Sequence, residues 1–239
     1  MMLRFTYIAI ILLVQLSLVN AQPDVDPPVS PVIDLVSVDH STGNVSISWI
    51  RSPSTDVSAY VIYLFKNGRG FDIDTIYDPS ADSYIYTGSG SRYFSESFVV
   101  AAVDTAGNIS PLSLPPLNTI HVSARIDTCN KTITVSWNGY PSVPRQVLGY
   151  SLFASVNGEP FSELAQAEPG KESLTVNDFY VDSEYIFFVR ASLTGGSFSG
   201  SNETPINTKM QRPPGWINAD YATVTPENEI QLSFTIDPL

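Results

Sequence analysis

The chain has 239 residues, of which 24 are acidic and 12 are basic, and its formal net charge at pH 7 is −12. A surface this negative repels phosphate backbones, which argues against nucleic acid or an anionic membrane as a partner. Cys129 is the single cysteine in the sequence, and this excludes both an internal disulfide and a metal site built from thiolates.

The first 21 residues predict a cleaved signal peptide. Arg4 supplies the positive start, residues 5–14 are almost wholly apolar, and residues 19–21 fit a small-residue cleavage site. The apolar stretch is short for a membrane-spanning helix. We therefore expect a secreted or cell-surface protein that does not stay inserted in the membrane after cleavage. Residues 22–30 follow as a Pro-rich, extended lead-in.

Residues 31–118 predict a first β-sandwich. Val45, Ile47 and Trp49 alternate with small polar residues, as in a strand with one buried face. Frequent turn signals and the lack of sustained helical periodicity favour an all-β sandwich. The strands are expected at 32–38, 44–50, 59–65, 71–77, 83–86 and 95–103.

Residues 119–210 repeat the landmarks of the preceding stretch. Trp137 follows Trp49 by 88 residues, and the Asn-Gly hairpin signal at 67–68 recurs 90 residues later. A repeat near 90 residues indicates an array of similar units. The two stretches are therefore expected to be two domains of one kind.

Residues 211–239 predict the start of a third sandwich. Ile230, Leu232 and Phe234 alternate as the earlier strands do. Two strands cannot close a sandwich, so we expect the beginning of a domain that is incomplete within a longer chain. Docking of these strands on the second domain is the alternative.

Several aromatic residues at matching positions carry a family resemblance. A Trp on the second strand, a Tyr on the third, and alternating Tyr, Phe, Val and Ala over 185–191 resemble fibronectin type III domains. The resemblance implies a tyrosine corner at Tyr185, whose hydroxyl bonds the backbone. Glu96 occupies that place in the first repeat, so its corner must be held differently. The predicted structural core comprises Trp49, Tyr60, Trp137, Tyr150 and Tyr185.

A longer run of residues resembles one particular class of proteins with fibronectin type III repeats. Residues 101–113 read Ala-Ala-Val-Asp-Thr-Ala-Gly-Asn-Ile-Ser-Pro-Leu-Ser and resemble paired type III repeats of large surface proteins from gliding bacteria. Such proteins usually end in a gliding-motility-associated sorting domain used by type IX secretion, so the resemblance implies truncation before that domain. Similar sequences often carry a cysteine where Ala106 stands. Cys129 is then a free thiol without that partner, and a small buried residue is the alternative.

Chemistry-bearing residues are sparse, so neither catalysis nor a cofactor is expected. The sequence contains no phosphate loop, nucleophile elbow or zinc motif. Asp72, Asp74 and Asp78 could bind calcium weakly through hard oxygen ligands. A solvated polar face is the favoured interpretation of these three carboxylates.

Some apolar residues point away from the predicted core. Tyr63 and Phe65 do so on the third strand of the first repeat, and Ile186 and Phe188 do so on the sixth strand of the second repeat. Exposed apolar patches mark recognition surfaces, so these four residues form a possible interaction surface. Cover by neighbouring side chains is the alternative.

The sequence therefore predicts a non-catalytic exported module that spaces or presents other domains, or mediates adhesion. The expected partners are an unknown protein or glycan at the cell exterior and the neighbouring domains of a longer parent chain. The alternative is a set of accessory domains of a secreted hydrolase whose catalytic domain lies outside this sequence.

Overall fold

The computed structural model describes residues 24–209 and 216–236. The signal peptide predicted over residues 1–21 lies outside the described residues. Every helix or strand element found in the described ranges is a β-strand. Among the described residues we find no helix with the length and hydropathy needed to cross a membrane.

Seven strands form the first repeat, in two sheets with the orders β1-β2-β5 and β4-β3-β6-β7. The first six agree with the expected strands to within two residues at each end. A two-residue turn joins β3 to β4, where Asn67 and Gly68 have φ values of 52° and 76°, as the Asn-Gly signal requires. The strands are β1 (Val32–Val38), β2 (Val45–Ile50), β3 (Val57–Lys66), β4 (Arg69–Ile76), β5 (Ser83–Tyr86), β6 (Ser97–Asp104) and β7 (Leu117–Asn118).

Eight strands form the second repeat. One sheet has the order β12-β9-β8 and the other β11-β10-β13-β14, with β15 also pairing with β13. The strands are β8 (Val122–Asp127), β9 (Thr132–Trp137), β10 (Val147–Val156), β11 (Ser162–Ala167), β12 (Ser173–Val176), β13 (Glu184–Leu193), β14 (Phe198–Gly200) and β15 (Thr204–Asn207). The first repeat thus has three strands in one sheet and four in the other, and the second has three and five because β14 and β15 both pair with β13. These are the strand orders of a fibronectin-type-III-like sandwich, which confirms the all-β tandem fold.

The buried residues follow the alternation read from the sequence. On β2 and β9 every second side chain is buried, ending in Trp49 and Trp137. On β6 and β13 the inward row is Phe, Val and Ala, starting at Phe98 and Phe187, and all six side chains have no exposed surface. Burial of these rows stabilises each sandwich by about 25 cal/mol per Å² of apolar surface.

The described chain packs as two compact units. The first contains residues 24–35, 47–84 and 97–117, and the second contains 36–46, 85–96, 118–209 and 216–236. The end of β1 and the β1–β2 turn therefore lie in the same unit as the strands of the second repeat. This placement produces the contacts described below.

Residues 216–236 contain a separate β-hairpin. β16 (Ile217–Val224) pairs antiparallel with β17 (Ile230–Ile236) as a two-stranded sheet. A register shift between Ala219 and Tyr221 leaves Asp220 as a bulge. Both strands are exposed along nearly their whole length.

Candidate functional site

The predicted core pairs have the same geometry in both repeats. The Trp49 ring lies 5.4 Å from the Tyr60 ring at an interplanar angle of 51°. The Trp137 and Tyr150 rings are 5.5 Å apart at 52°. All four side chains are at most 5% exposed. Neither indole Nε1–H has a hydrogen-bond partner among the described residues, so packing alone holds these tryptophans.

The two core tyrosines also make equivalent hydrogen bonds. The Tyr60 hydroxyl accepts the Ser52 N–H at 3.2 Å, and the Tyr150 hydroxyl accepts the Tyr140 N–H at 2.9 Å. Burial raises the pKa of both tyrosines above its ordinary value, outweighing the opposing effect of these bonds. Both hydroxyls are therefore neutral at pH 7 and act as structural partners, not as bases.

Tyr185 bonds the backbone of the segment that precedes β13. It is 4% exposed, and its hydroxyl accepts the Tyr180 N–H at 2.9 Å. In the first repeat, Glu96 is likewise 4% exposed. Its Oε2 accepts the Ser89 hydroxyl at 2.5 Å and the Gly90 N–H at 3.1 Å. A carboxylate thus bonds the backbone where the second repeat uses a phenol.

The four residues of the possible interaction surface differ in exposure. Tyr63, Phe65 and Ile186 are half-buried. Phe188 is only 3% exposed, so its expected place in an open apolar patch is corrected: aromatic side chains of nearby segments cover it. Tyr63 and Phe65 lie in the first compact unit, whereas Ile186 and Phe188 lie in the second.

An aromatic stack covers Phe188. The His40 ring lies parallel to it at 4.2 Å, and the Phe153 ring lies parallel to it at 4.7 Å. Phe161 packs edge-on at 5.0 Å, and the Arg190 guanidinium is 4.7 Å from the centre of the Phe153 ring. Parallel rings capped by a cation combine apolar burial with cation–π attraction. We call these five residues the aromatic stack.

His40 is also held by a carboxylate. Its Nδ1 lies 2.7 Å from Glu203 Oε1, with both side chains about one-third exposed (33% and 29%). An ionised carboxylate only accepts, so Nδ1 carries the proton in this contact. Sequence reasoning assigned no role to His40, because nothing in the turn that contains it points to a partner 163 residues away.

Direct hydrogen bonds join the end of β1 to β14. The buried Ser199 hydroxyl donates to the Val36 carbonyl at 2.8 Å, and the Gly200 N–H donates to Ser37 Oγ at 2.9 Å. A Cβ added at Gly200 would lie 2.7 Å from the Val38 carbonyl oxygen, so only glycine permits this approach. We call these five residues the β1–β14 seam.

Tyr140 extends the seam into the core of the second repeat. Its hydroxyl accepts the Val36 N–H at 3.0 Å in a buried contact, and its own N–H donates to the Tyr150 hydroxyl. A chain of bonds therefore runs from the β1 backbone to one of the predicted core tyrosines. All of these residues lie in the second compact unit.

Three carboxylates converge in the first compact unit. Asp24, Asp56 and Asp104 each place one oxygen within 4.8 Å of the others. Both oxygens of the buried Asp104 already accept bonds within its own loop, from Ala106 and from the backbone and side chain of Asn108. Burial raises the pKa of Asp104, but these bonds together outweigh burial and hold it below its ordinary value. Asp104 thus holds the start of the β6–β7 loop through these bonds.

The carboxylates considered for calcium lie apart from this group. Within the described residues, Asp72, Asp74 and Asp78 do not bring three ligand atoms close together. Asp78 Oδ1 accepts the Ser80 hydroxyl and N–H at 2.6 and 2.8 Å, which lowers its pKa. Their arrangement is that of turn and edge-strand carboxylates.

No family model and no curated protein matches the chain. Solved structures similar to it include the FN1–FN3 domains of chicken CNTN1, at 16% identity over 77% of this chain and 68% of that one, with a TM-score of 0.33. A two-domain fibronectin type III segment of chicken tenascin has 16% identity over 77% of this chain and 100% of that segment, with a TM-score of 0.32. Pectate lyase Pel3 from Pectobacterium carotovorum has 14% identity over 40% of this chain and 29% of the lyase chain, with a TM-score of 0.32. It is the strand order of the two sandwiches that identifies their fold, and these similarities say nothing about activity or partners.

Proposed function

We propose that this chain is a non-catalytic spacer and interaction module in which the end of β1 is held firmly against the second repeat. The β1–β14 seam is the observation that carries this proposal. A buried hydroxyl, a backbone N–H and a glycine fix the end of β1 against β14. Opening the seam would exchange these hydrogen bonds for bonds to water, a net loss of about 0.5–1.5 kcal/mol per bond.

The aromatic stack supports the same proposal from the adjacent turn. His40 follows β1 closely and lies flat on Phe188, while Glu203 holds its Nδ1. The seam and the stack therefore hold both the strand and the turn that follows it.

The proposed setting is the cell exterior. The signal-like residues 1–21 support export, and the run at 101–113 supports an origin in surface proteins of gliding bacteria that use type IX secretion. The proposed partners are neighbouring domains of a longer chain, together with a protein or glycan at the cell surface. Adhesion or the presentation of other domains would then be the role of the module.

Gly200→Ala in the full chain tests whether the end of β1 is held against β14. The new Cβ meets the Val38 carbonyl, so β1 must move away from β14. We expect amide hydrogen exchange at Val36 to rise about tenfold or more. Exchange at Val135, in the core of β9, should not change.

Gly88→Ala is the matched control, because Gly88 lies in the same compact unit but outside the seam. Its Cβ would lie 3.0 Å from the far end of the Tyr86 side chain, so exchange at Val36 should stay as in the wild type. Fast exchange of Val36 in the wild-type chain, or equal effects of both alanines, would contradict the proposed connection.

A further inference from the structure

The Arg190 guanidinium lies among three phenylalanine rings on the outward face of β13. The side chain is half-buried. Its guanidinium carbon is 4.7 Å from the ring centre of Phe153, 5.6 Å from that of Phe198 and 5.7 Å from that of Phe188. Ring stacking uses the flat side of a guanidinium, whereas its five N–H donors lie in its plane. Within the described residues those donors have neither a hydrogen bond nor an ion pair.

Two carboxylates beside the aromatic stack are engaged with other groups. Glu203 holds His40, and Glu163 accepts an amide N–H of Gln166 at 2.6 Å. A half-buried cation gains from an acceptor that replaces the water it has lost. A carboxylate does so best, because its two oxygens match the guanidinium fork in a bidentate pair. Arg190 is therefore placed to receive a carboxylate from a ligand.

A groove continues from Arg190 across the same face of the sheet. Ser151 is the register partner of Arg190, and Gly149 is that of Ser192, so these residues share the outward face. Phe198 pairs with Ser192 from the other side and is 52% exposed. Gly149 contributes no side chain, and a cavity of about 270 Å³ lies here, between Ser192 and the end of β11.

The lining of this cavity matches the hydroxyl groups of a sugar. Ser151 and Ser192 offer hydroxyls, and Gln166 offers its amide oxygen. Glu168 and Lys171 also line the cavity, and their opposite charges offset each other. The volume lies below the roughly 300–1,000 Å³ of pockets for drug-sized ligands, which suits a single sugar ring.

We propose that Arg190, Phe198 and this cavity bind a carboxylate-bearing sugar, such as a uronic acid residue of a polysaccharide. The guanidinium takes the carboxylate through two parallel N–H bonds. The exposed Phe198 ring packs against the C–H face of the sugar, whose hydroxyls meet the polar lining of the cavity. A glutamate side chain would offer the carboxylate without those hydroxyls. The inference rests on the proposed interaction role and deepens it, since it names the class of glycan.

Titration of the full chain, followed by ¹H–¹⁵N NMR, tests the site with three probes. Glucuronate and glucose differ only in the carboxylate, and acetate lacks the ring. We expect glucuronate to shift the Arg190 Nε–H and Ser192 amide resonances. Its Kd should be about fivefold or more below the Kd values of glucose and acetate, since only glucuronate meets both the fork and the cavity.

Three variants assign the effect to its residues. Arg190→Lys keeps the charge but loses the bidentate fork, so it should weaken glucuronate binding about fivefold or more. Phe198→Ala should also weaken glucuronate binding and leave acetate binding unchanged. Arg125→Lys is the matched control, because Arg125 is exposed on β8, in the other sheet of the same repeat. Its Kd for glucuronate should stay within about twofold of the wild type.

Several outcomes would overturn the sugar site. Equal Kd values for glucuronate and acetate would indicate a simple anion site, and tighter binding of N-acetylglutamate than of glucuronate would indicate an acidic peptide. Unchanged Arg190 resonances at saturating glucuronate would also refute it. Exchange at Val36 reports on the β1–β14 seam separately. Slow exchange there without glucuronate binding would remove the sugar site alone, whereas fast exchange with glucuronate binding would contradict only the seam.

Discussion

The two repeats bond the backbone near the start of their sixth strand with different side chains. In the second repeat, the Tyr185 phenol accepts a backbone N–H from Tyr180, five residues upstream. In the first, the Glu96 carboxylate accepts the N–H of Gly90, six residues upstream, and also the hydroxyl of Ser89. The fold therefore needs a buried acceptor aimed at the preceding loop, and it does not need a tyrosine.

By contrast, the core Trp–Tyr pairs use the same side chains in the same geometry in both repeats. Trp49–Tyr60 and Trp137–Tyr150 agree to within 0.1 Å in ring separation and 1° in interplanar angle. Shape decides what can fill the space between two sheets, because interiors pack as densely as organic crystals. A hydrogen-bond acceptor can be replaced by another acceptor, whereas an indole in the core has no substitute of equal volume.

Removing an indole should therefore have the largest effect, and it should be similar in both repeats. Trp49→Ala and Trp137→Ala are each expected to lower the free energy of unfolding by about 3–5 kcal/mol, through lost burial and the cavity left behind. Urea denaturation followed by circular dichroism measures this loss. Trp216→Ala, at a side chain 49% exposed, should change stability by less than about 0.5 kcal/mol. A loss below 1 kcal/mol at either core position would break the equivalence of the two repeats.

The corners should differ in a measurable way. Glu96→Ala leaves two donors without an acceptor and should cost about 1–3 kcal/mol, while Tyr185→Phe removes one neutral bond and should cost about 1 kcal/mol. Glu96→Gln keeps an acceptor and loses only the charge, so it should fall between wild type and Glu96→Ala. If Glu96→Gln is as damaging as Glu96→Ala in urea denaturation, the charge matters more than the bonds.

Much of the fold could be predicted from the sequence because its signals are local. Period-2 alternation places Val45, Ile47 and Trp49 on one face without knowledge of any other strand. The Asn-Gly pair at 67–68 likewise fixes a turn by its own backbone preference. Local patterns of this kind were enough to predict the strands and the buried aromatic core.

The candidate site depends on contacts between residues far apart in sequence. Phe188 alternates as an outward residue should, and its cover comes from residues distant in sequence, including His40, 148 residues earlier. Gly200 looks like any loop glycine until the Val38 carbonyl is placed against it. A single sequence carries no signal for such pairings, whereas the departure at Glu96 was visible because a repeat offered a direct comparison.

We expect low pH to destabilise the first repeat more than the second, through the turn that follows the sixth strand. Asp104 holds that turn in the first repeat through bonds to Ala106 and Asn108, whereas the second repeat has Leu193 at the matching position. Because those bonds outweigh burial and lower the pKa of Asp104 below 3.8, its contribution to stability is fully present above pH 3.8. That contribution is lost as the pH falls through the lowered pKa of the folded state.

Asp104→Asn should make the stability of the protein depend less on pH in this acidic range. We expect the urea midpoint of the wild type to fall more steeply than that of Asp104→Asn between pH 4 and pH 2. Other carboxylates with a lowered pKa, such as Asp39 and Asp127, are common to both proteins and drop out of the difference. Parallel pH profiles for the two proteins would show that the loop bonds do not couple to folding.

The β1–β2 and β8–β9 turns give the smallest expected effect. In each, an aspartate accepts backbone N–H groups two and three residues ahead: Asp39 from Ser41 and Thr42, and Asp127 from Cys129 and Asn130. The first turn is held in the aromatic stack by His40, while the second leaves Cys129 exposed.

Cys129 should therefore react as a free thiol in the native protein. We expect one equivalent of thiol per chain to react with Ellman's reagent without denaturant, and Cys129→Ser to change the free energy of unfolding by less than about 0.5 kcal/mol. His40→Ala should cost more, since it removes a stacked ring and the Glu203 contact together. Reaction of Cys129 only after unfolding would show instead that the second turn is covered like the first, and the contrast between the two turns would no longer hold.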